Sequence, residues 1–170
     1  YYCCRCCCCY VSFSMGSRPI IVGLSVGSTR SFGLRKMTET TNTVSVPMPH
    51  NTVVIMWDDC QENWQHAVLR TSAARVKQHP WSDVGKIRLS LTFRMSRPEL
   101  ARLRTMCYCN KPAALKSKDG VYFSFCSPVN NTHPCRFWQR CNWAQTEAQR
   151  LKDLNIDLHV ADKEKARERE

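Results

Sequence analysis

Four cysteines in the second half of the chain have the residue type and the spacing of a metal site. They are Cys107, Cys109, Cys126 and Cys135. Four thiolates are a common ligand set of closed, tetrahedral Zn²⁺ sites. A segment this short cannot bury enough apolar surface to fold by itself, so a bound metal would supply much of its folding free energy. The pattern predicts a zinc module. His133 and Cys141 are rival ligands, and free structural cysteines are the alternative.

Two arginines stand at the ends of a strictly alternating stretch, Lys86–Arg94, and could bind an anion. In an extended strand its polar and apolar residues fall on opposite faces. The polar row is Arg88, Ser90, Thr92 and Arg94, and the apolar row is Ile87, Leu89, Leu91 and Phe93. We expect the apolar row to face a core. The two arginines lie about 20 Å apart along a strand, so only a curved sheet would let them serve one ligand. A solvated edge strand is the alternative.

The surrounding pattern predicts a β-rich region followed by a helix. Arg18–Leu24 and Arg30–Lys36 have the pattern of two strands that form a hairpin around Gly27. Further strands are predicted at Thr43–Val46, stopped by Pro47 and Pro49, at Asn51–Trp57, which is mostly apolar and expected to be buried, and at His66. Helices are predicted from an N-cap at Ser96 to about Thr105, and over Ala144–Glu170.

The composition favours an anionic partner and a reducing compartment. The 170 residues carry a net charge of +11, which favours nucleic acid. The basic connection Thr71–Gly85 could lie near a DNA backbone or could be an ordinary surface loop. No apolar run reaches the length of a membrane span, and no secretory signal accompanies the 12 cysteines. We expect a nuclear or cytoplasmic protein with no membrane partner, and the sequence leaves its oligomeric state open.

Four segments together resemble the AlkB-like Fe(II)/2-oxoglutarate dioxygenases, whose fold is a double-stranded β-helix, or jelly roll. The segments are Ile20–Arg35, His50–Met56, Trp64–His66 and Arg88–Arg94, in the family's order. The resemblance implies that Arg88 pairs with the C5 carboxylate of 2-oxoglutarate, that Arg94 lies at the metal end of this cosubstrate, and that His66 is an iron ligand. It also implies oxidative demethylation of nucleic-acid bases in DNA repair, on a flipped or single-stranded base.

The chain departs from that family at the iron site. No His or Asp precedes His50, so the family's H-x-D motif has no counterpart, and its place falls near Cys8 and Tyr10. A facial triad needs two His and one carboxylate. We therefore expect no catalytic residue and little activity in this chain. Fe(II) and 2-oxoglutarate are expected as cofactors only if the missing N-terminal part is supplied.

The cysteine segment resembles a GRF-type zinc finger, in which the last cysteine is followed by aromatic residues. Phe137 and Trp138 follow Cys135 and favour it as the fourth ligand. The resemblance implies binding of single-stranded nucleic acid. The residues predicted to contact it are Lys111, Lys116, Lys118, Arg136 and Trp138. Tyr122, Phe123, Phe137 and Trp143 are further candidates for stacking on bases, but we expect most of these aromatic residues to serve the core of the module and one or two at most to be free.

The sequence thus predicts a mainly β chain of four parts. They are a Cys-rich, unstructured leader (1–14), a partial jelly roll (15–96), a GRF-type zinc finger with a Zn²⁺ cofactor (97–143), and a charged helix or tail (144–170). The first functional hypothesis is an AlkB-like dioxygenase that lacks its H-x-D motif. The alternative is a zinc-dependent module that binds single-stranded nucleic acid without catalysis.

Overall fold

The computed structural model describes residues 15–39, 41–81, 85–127 and 133–167, with side chains as far as Leu154 except that of Ala73. Within these ranges nine strands form three antiparallel sheets of three strands each. The strands are β1 (Ile21–Gly27), β2 (Arg30–Lys36), β3 (Val44–Met48), β4 (Thr52–Met56), β5 (Trp64–Val68), β6 (Arg88–Arg94), β7 (Ala114–Lys118), β8 (Val121–Phe125) and β9 (Trp138–Arg140). The α-helices are α1 (Cys60–Asn63) and α2 (Asn142–Arg167), and 3₁₀ helices cover Ala73–Arg75 and Pro98–Leu103. The predicted mainly β class is confirmed.

The first two sheets form a jelly-roll-like half. One has the strand order β4-β1-β6 and the other the order β3-β2-β5. Apolar side chains from both sheets meet in one core, with Ile21 and Met56 from the first sheet and Phe32 and Met48 from the second. The partial jelly roll predicted from the sequence is therefore present, and β5 carries His66 as expected.

Strands β1 and β2 do not form the predicted hairpin. β1 pairs with β4 and β6, whereas β2 pairs with β3 and β5, so the turn between them carries the chain from one sheet to the other. Gly27 has a φ of +96°, and a Cβ there would lie 2.4 Å from the carbonyl oxygen of Ile87. The turn residues indicate a reversal, but strand pairing depends on residues far along the chain.

The apolar row of β6 lies on the outside of its sheet, so the prediction that it meets a core is wrong. Leu89 is 61% exposed and Phe93 is 59% exposed. Cross-strand pairing aligns this row with the outward residues of the neighbouring strands, which are Val22, Leu24, Val26, Val53 and Ile55. Val53 and Ile55 are also exposed, so the expected burial of β4 holds only for alternate residues. The polar row shares the face of Ile21 and Ser25, and Arg88 Nε donates to Ser25 Oγ at 2.8 Å, while Ser90, Thr92 and Arg94 on that face are exposed.

Two boundary predictions are also wrong. Pro47 lies inside β3, opposite Ser31, because β3 is an edge strand in which a residue without an N–H can be tolerated. The helix after β6 is a 3₁₀ helix with Arg97, rather than Ser96, at its N-cap position. Its Pro98 occupies the first turn as predicted, where a missing N–H costs nothing.

The third sheet packs onto the same core as the jelly-roll half. Its first two strands are joined by Asp119 and Gly120, which have φ values of 51° and 75° and suit a two-residue hairpin turn. Leu115 and Tyr122 point from this hairpin into the core that holds Ile21 and Phe32, and Ala144 and Ala148 of α2 join them. The predicted division at residues 96 and 97 stays a prediction.

The side chain of Arg97, at the start of the second 3₁₀ helix, bonds both to the segment before β1 and to α2. Its Nε donates to the carbonyl of Met15 at 3.0 Å, and its Nη2 donates to the carbonyl of Ser17 at 2.5 Å. Its Nη1 forms an ion pair with Glu147 of α2 at 2.7 Å. In the part of the chain that the structure describes, no helix combines the length and hydropathy needed to cross a membrane.

Candidate functional site

The four predicted zinc ligands come together at one end of the third sheet. The sulfur atoms of Cys107, Cys109, Cys126 and Cys135 all lie within 4.8 Å of one another. Cys109 Sγ lies 3.0 Å from Cys107 Sγ, 3.6 Å from Cys126 Sγ and 3.8 Å from Cys135 Sγ. Zn–S bonds of about 2.3 Å in a tetrahedron place the sulfurs about 3.8 Å apart. The residues therefore fit a zinc ion without large movement.

The rival ligands lie outside this cluster. Cys141 is buried against Ser124, with its Sγ 2.7 Å from the hydroxyl oxygen. His133 belongs to no group of metal-ligating side chains among residues that the structure describes. The geometry thus favours Cys135 as the fourth ligand, in agreement with the aromatic residues that follow it.

Hydrogen bonding within the cluster makes two of its thiols more acidic. The hydrogen bond with Cys109 lowers the pKa of Cys107, and the same contact raises the pKa of Cys109 to about 12. Desolvation opposes ionisation of Cys135, but backbone N–H groups of Phe137 and Cys109 and neighbouring thiols lower its pKa to about 6. Since zinc binds the thiolate form, the lowered pKa values of Cys107 and Cys135 favour metal binding.

Arg88 lies at one end of the inward face of β6, beside a second arginine. Burial lowers the pKa of Arg88, and the charge of Arg30 lowers it further. Arg30 donates from Nη2 to the carbonyl of Leu69 at 3.1 Å, while its buried Nε has no partner among the described residues. The hydroxyl of Ser28 is buried without a partner there as well. Two neighbouring cations with unused donors suit a carboxylate, so this end of the strand fits one carboxylate of 2-oxoglutarate.

Arg94 lies at the other end of β6, where it acts on His66. Burial lowers the pKa of His66, and the positive charge of Arg94 lowers it further. The imidazole stacks on Phe32 with ring centroids 5.7 Å apart. A neutral imidazole is the form that ligates metal ions. The structure thus brings Arg94 and His66 together and places Arg88 at the far end of the same inward face.

The described residues do not fit an iron site. The cysteine cluster is the one group of three or more metal-ligating side chains among them. His66 therefore lacks, within that part of the chain, the second His and the carboxylate of a facial triad. The predicted place of the H-x-D motif, near Cys8 and Tyr10, lies outside the described residues.

The solvent face of the third sheet carries basic and aromatic residues. In the strand register Phe123 lies between Lys116 of β7 and Arg140 of β9. Trp138 stacks on Phe123 with ring centroids 5.7 Å apart and is 57% exposed. Three other predicted contact residues are exposed, namely Lys111, Lys118 and Arg136.

Sequence reasoning misjudged or missed several residues. Tyr122 is 3% exposed and faces the core, so its proposed stacking on a base is wrong, and Trp143 is half-buried. Tyr108, by contrast, is 79% exposed and lies edge-on to Phe137 at 5.3 Å. The sequence did offer a signal for this exposure, because Tyr108 lies between the two predicted ligands Cys107 and Cys109. A residue between two closely spaced ligands points away from the metal site. Arg30 and Ser25 carry no local signal, since their nearness to Arg88 depends on how distant strands pair.

The jelly-roll half matches known proteins. Residues 12–94 match a family described as the 2OG-Fe(II) oxygenase superfamily. Over 94 residues the chain is 33% identical to alpha-ketoglutarate-dependent dioxygenase alkB homolog 3 of Rattus norvegicus, and equally so to the proteins of that name from Mus musculus and Homo sapiens. This region of the chain is therefore similar to 2-oxoglutarate-dependent dioxygenases that carry the alkB homolog 3 name. The similarity covers 51% of this chain but only 28% to 29% of those relatives, so the chain spans less than a third of their length.

Proposed function

We propose that the AlkB-like region is the cosubstrate-binding part of a dioxygenase that oxidatively demethylates nucleic-acid bases, a DNA-repair reaction. The observation that carries this proposal is the inward face of β6, with Arg88 beside Arg30 at one end and Arg94 beside His66 at the other. A dicarboxylate anchored at Arg88 would point its other end toward His66. When bound, 2-oxoglutarate supplies the electron pair that such enzymes use to activate oxygen.

We infer that this chain by itself has little demethylase activity. The described residues offer a single iron ligand, His66, and one imidazole does not hold Fe(II) usefully. A segment that carries an H-x-D motif has to complete the site. Fe(II) and 2-oxoglutarate are therefore the cofactors of the completed protein, and Zn²⁺ is the cofactor of the cysteine cluster.

Calorimetric titration with 2-oxoglutarate tests the cosubstrate role without requiring turnover. We expect Arg88→Met to weaken binding at least about tenfold, because a charge-assisted pair contributes about 1.5–3 kcal/mol. Arg102→Met, in the exposed 3₁₀ helix, is the matched control and should bind like the wild type. An unchanged affinity in Arg88→Met would overturn the role.

Formaldehyde release from methylated single-stranded DNA, with Fe(II) and 2-oxoglutarate added, would overturn the inference of low activity.

A second candidate function is zinc-dependent binding of single-stranded nucleic acid by residues 107–143. The four-thiol cluster and the adjacent face with Phe123, Trp138, Lys116 and Arg140 favour it. Bases can stack on exposed aromatic rings while basic side chains neutralise phosphates. None of the six cysteines that the structure describes forms a disulfide, which suits the reducing nucleus or cytoplasm where nucleic acid is found.

Metal analysis and oligonucleotide binding test this candidate together. We expect one zinc per chain, lost in Cys126→Ser and retained in Cys141→Ser, whose sulfur lies outside the cluster. Anisotropy of a labelled oligothymidine should show binding that a zinc chelator abolishes. Binding that survives complete removal of zinc would rule the cluster out as the organiser of the binding surface.

A further inference from the structure

We propose that Trp81 is a second stacking site for an unpaired base, on the jelly-roll half and apart from the zinc cluster. It is held there by His50 and His79, and we call these three rings the aromatic platform. The inference rests on the proposed nucleic-acid partner, but it assigns a contact that neither the dioxygenase resemblance nor the zinc-finger resemblance supplies.

The platform is an ordered arrangement of three rings. His50 and His79 stack with centroids 4.1 Å apart and an interplanar angle of 27°. Trp81 lies beside this stack, with its ring centroid 6.0 Å from that of His50 and 5.7 Å from that of His79 and with interplanar angles of 80°. Packing of this T-shaped kind orients the indole, and the 84% exposure of Trp81 leaves most of its surface open to a ligand.

Backbone hydrogen bonds hold the two imidazoles in place. The N–H of Gly27 donates to His50 Nδ1 at 2.9 Å, at the end of β1 where Ser28 N also bonds to the carbonyl of Ile87. The N–H of Trp81 donates to His79 Nδ1 at 3.3 Å. Both Nδ1 atoms are therefore used as acceptors, so the pair is a support for Trp81 and is not poised as a metal site.

Trp81 exposes more of its side chain than any other large hydrophobic residue in the described ranges, at 84%. A flat apolar face left in water gains free energy when another flat ring covers it. Nucleobases provide such a ring irrespective of sequence, and each stacked base contributes about 1–3 kcal/mol to single-strand binding.

The charge of the sequence that carries Trp81 favours a polyanion. The segment that carries Trp81 contains four exposed basic side chains, namely Arg70, Arg75, Lys77 and Lys86. Together with the chain's net charge of +11, they favour a phosphate backbone over an uncharged aromatic ligand.

The position of the platform separates it from the reacting end of the jelly roll. Gly27, which bonds to His50, pairs in register with Arg88 at the start of β6. Arg94 and His66 lie at the other end of that strand, about 20 Å away at roughly 3.3 Å per residue. A base stacked on Trp81 is therefore a different base of the same nucleic-acid strand from the one that would enter the demethylation site.

Fluorescence anisotropy with a labelled twelve-nucleotide oligothymidine tests the proposal on the full, zinc-loaded chain. We expect Trp81→Ala to weaken binding at least about fivefold and to leave the salt dependence unchanged, because stacking releases no counterions. Lys77→Ala should instead reduce the slope of log K against log salt by about 0.7. Trp57→Ala is the matched control, since Trp57 directly follows β4, is 47% exposed and belongs to no basic cluster in the sequence.

The outcomes separate this inference from the proposed function. Wild-type affinity in Trp81→Ala, or an equal loss in Trp57→Ala, would overturn the platform. If Trp138→Ala weakens binding while Trp81→Ala does not, the zinc module binds nucleic acid and the platform is wrong. A wild-type chain that binds no oligonucleotide overturns the platform as well, whereas the cosubstrate role of Arg88 is decided separately by titration with 2-oxoglutarate.

Discussion

Tyr122→Phe tests whether a buried hydrogen bond joins the third sheet to the jelly-roll half. The hydroxyl of Tyr122 donates to Glu62 Oε1, and that carboxylate also accepts the backbone N–H of Arg18 at 2.6 Å. Tyr122 is 3% exposed and Glu62 is 7% exposed. Burial raises the pKa of Glu62, and the hydrogen bonds from Tyr122 and Arg18 act against this shift. The substitution removes one of the hydrogen-bond donors that stabilise the buried, charged carboxylate of Glu62.

The expected loss follows from the type of bond. A hydrogen bond to a charged group contributes about 1.5–3 kcal/mol, and little water can reach this carboxylate to replace the phenol. We therefore expect Tyr122→Phe to lower the free energy of unfolding by about 1.5–3 kcal/mol at neutral pH. Tyr108→Phe is the control, and its loss should stay within about 0.5 kcal/mol because that side chain is exposed.

Urea unfolding of the zinc-loaded chain, followed by circular dichroism, measures both values. A double-mutant cycle with Glu62→Ala isolates the pair, and we expect a coupling free energy of at least about 1 kcal/mol. The reasoning is refuted if Tyr122→Phe is as stable as Tyr108→Phe, or if the losses in the cycle simply add.

Three further predictions concern the jelly-roll half. The folded pKa of His66 lies below its ordinary value of 6.5, so the unfolded chain binds more protons in that window. The free energy of unfolding should fall as the pH drops below about 6.5, and His66→Phe should flatten that slope in urea titrations; an equal slope would contradict the shift. Gly27→Ala should destabilise by about 1–3 kcal/mol, because its φ is +96° and a Cβ would collide with the carbonyl of Ile87, and thermal melts with normal stability would exclude that strain. Leu91→Lys, on the exposed face of β6, should change stability by less than about 0.5 kcal/mol and reduce light scattering by aggregates; a large loss of stability would show that this face is buried in solution.

The sequence predicted the residues of the site better than their surroundings. The cysteine spacing identified the four sulfurs that cluster, because two knuckles on a short hairpin leave few other ways to bring them together. The family resemblance pointed to Arg88, Arg94 and His66. The two arginines lie on one face of β6, and His66, on β5 of the other sheet, lies near Arg94. Neither kind of reasoning gave Arg30 a role, since its nearness to Arg88 arises only when β1 and β2 belong to different sheets.

The strand β6 shows where local pattern stops being informative. Alternation assigned every residue of Lys86–Arg94 to one of two faces, and that assignment is right. The face that points inward was chosen wrongly, because apolar residues usually face a core, whereas the face of β6 shared with Ile21 and Ser25 carries arginines and hydroxyls.

The core that Tyr122, Ala144 and Ala148 share with Ile21 and Phe32 makes the two halves one thermodynamic unit. A ligand that binds only the folded chain stabilises every part of such a unit, by about 2.7 kcal/mol at one hundred times its dissociation constant. If the thiols hold zinc as proposed, the concentration of available zinc determines what fraction of the oxygenase-like half is folded. Zinc starvation would then deplete a protein whose resemblance suggests dependence on iron.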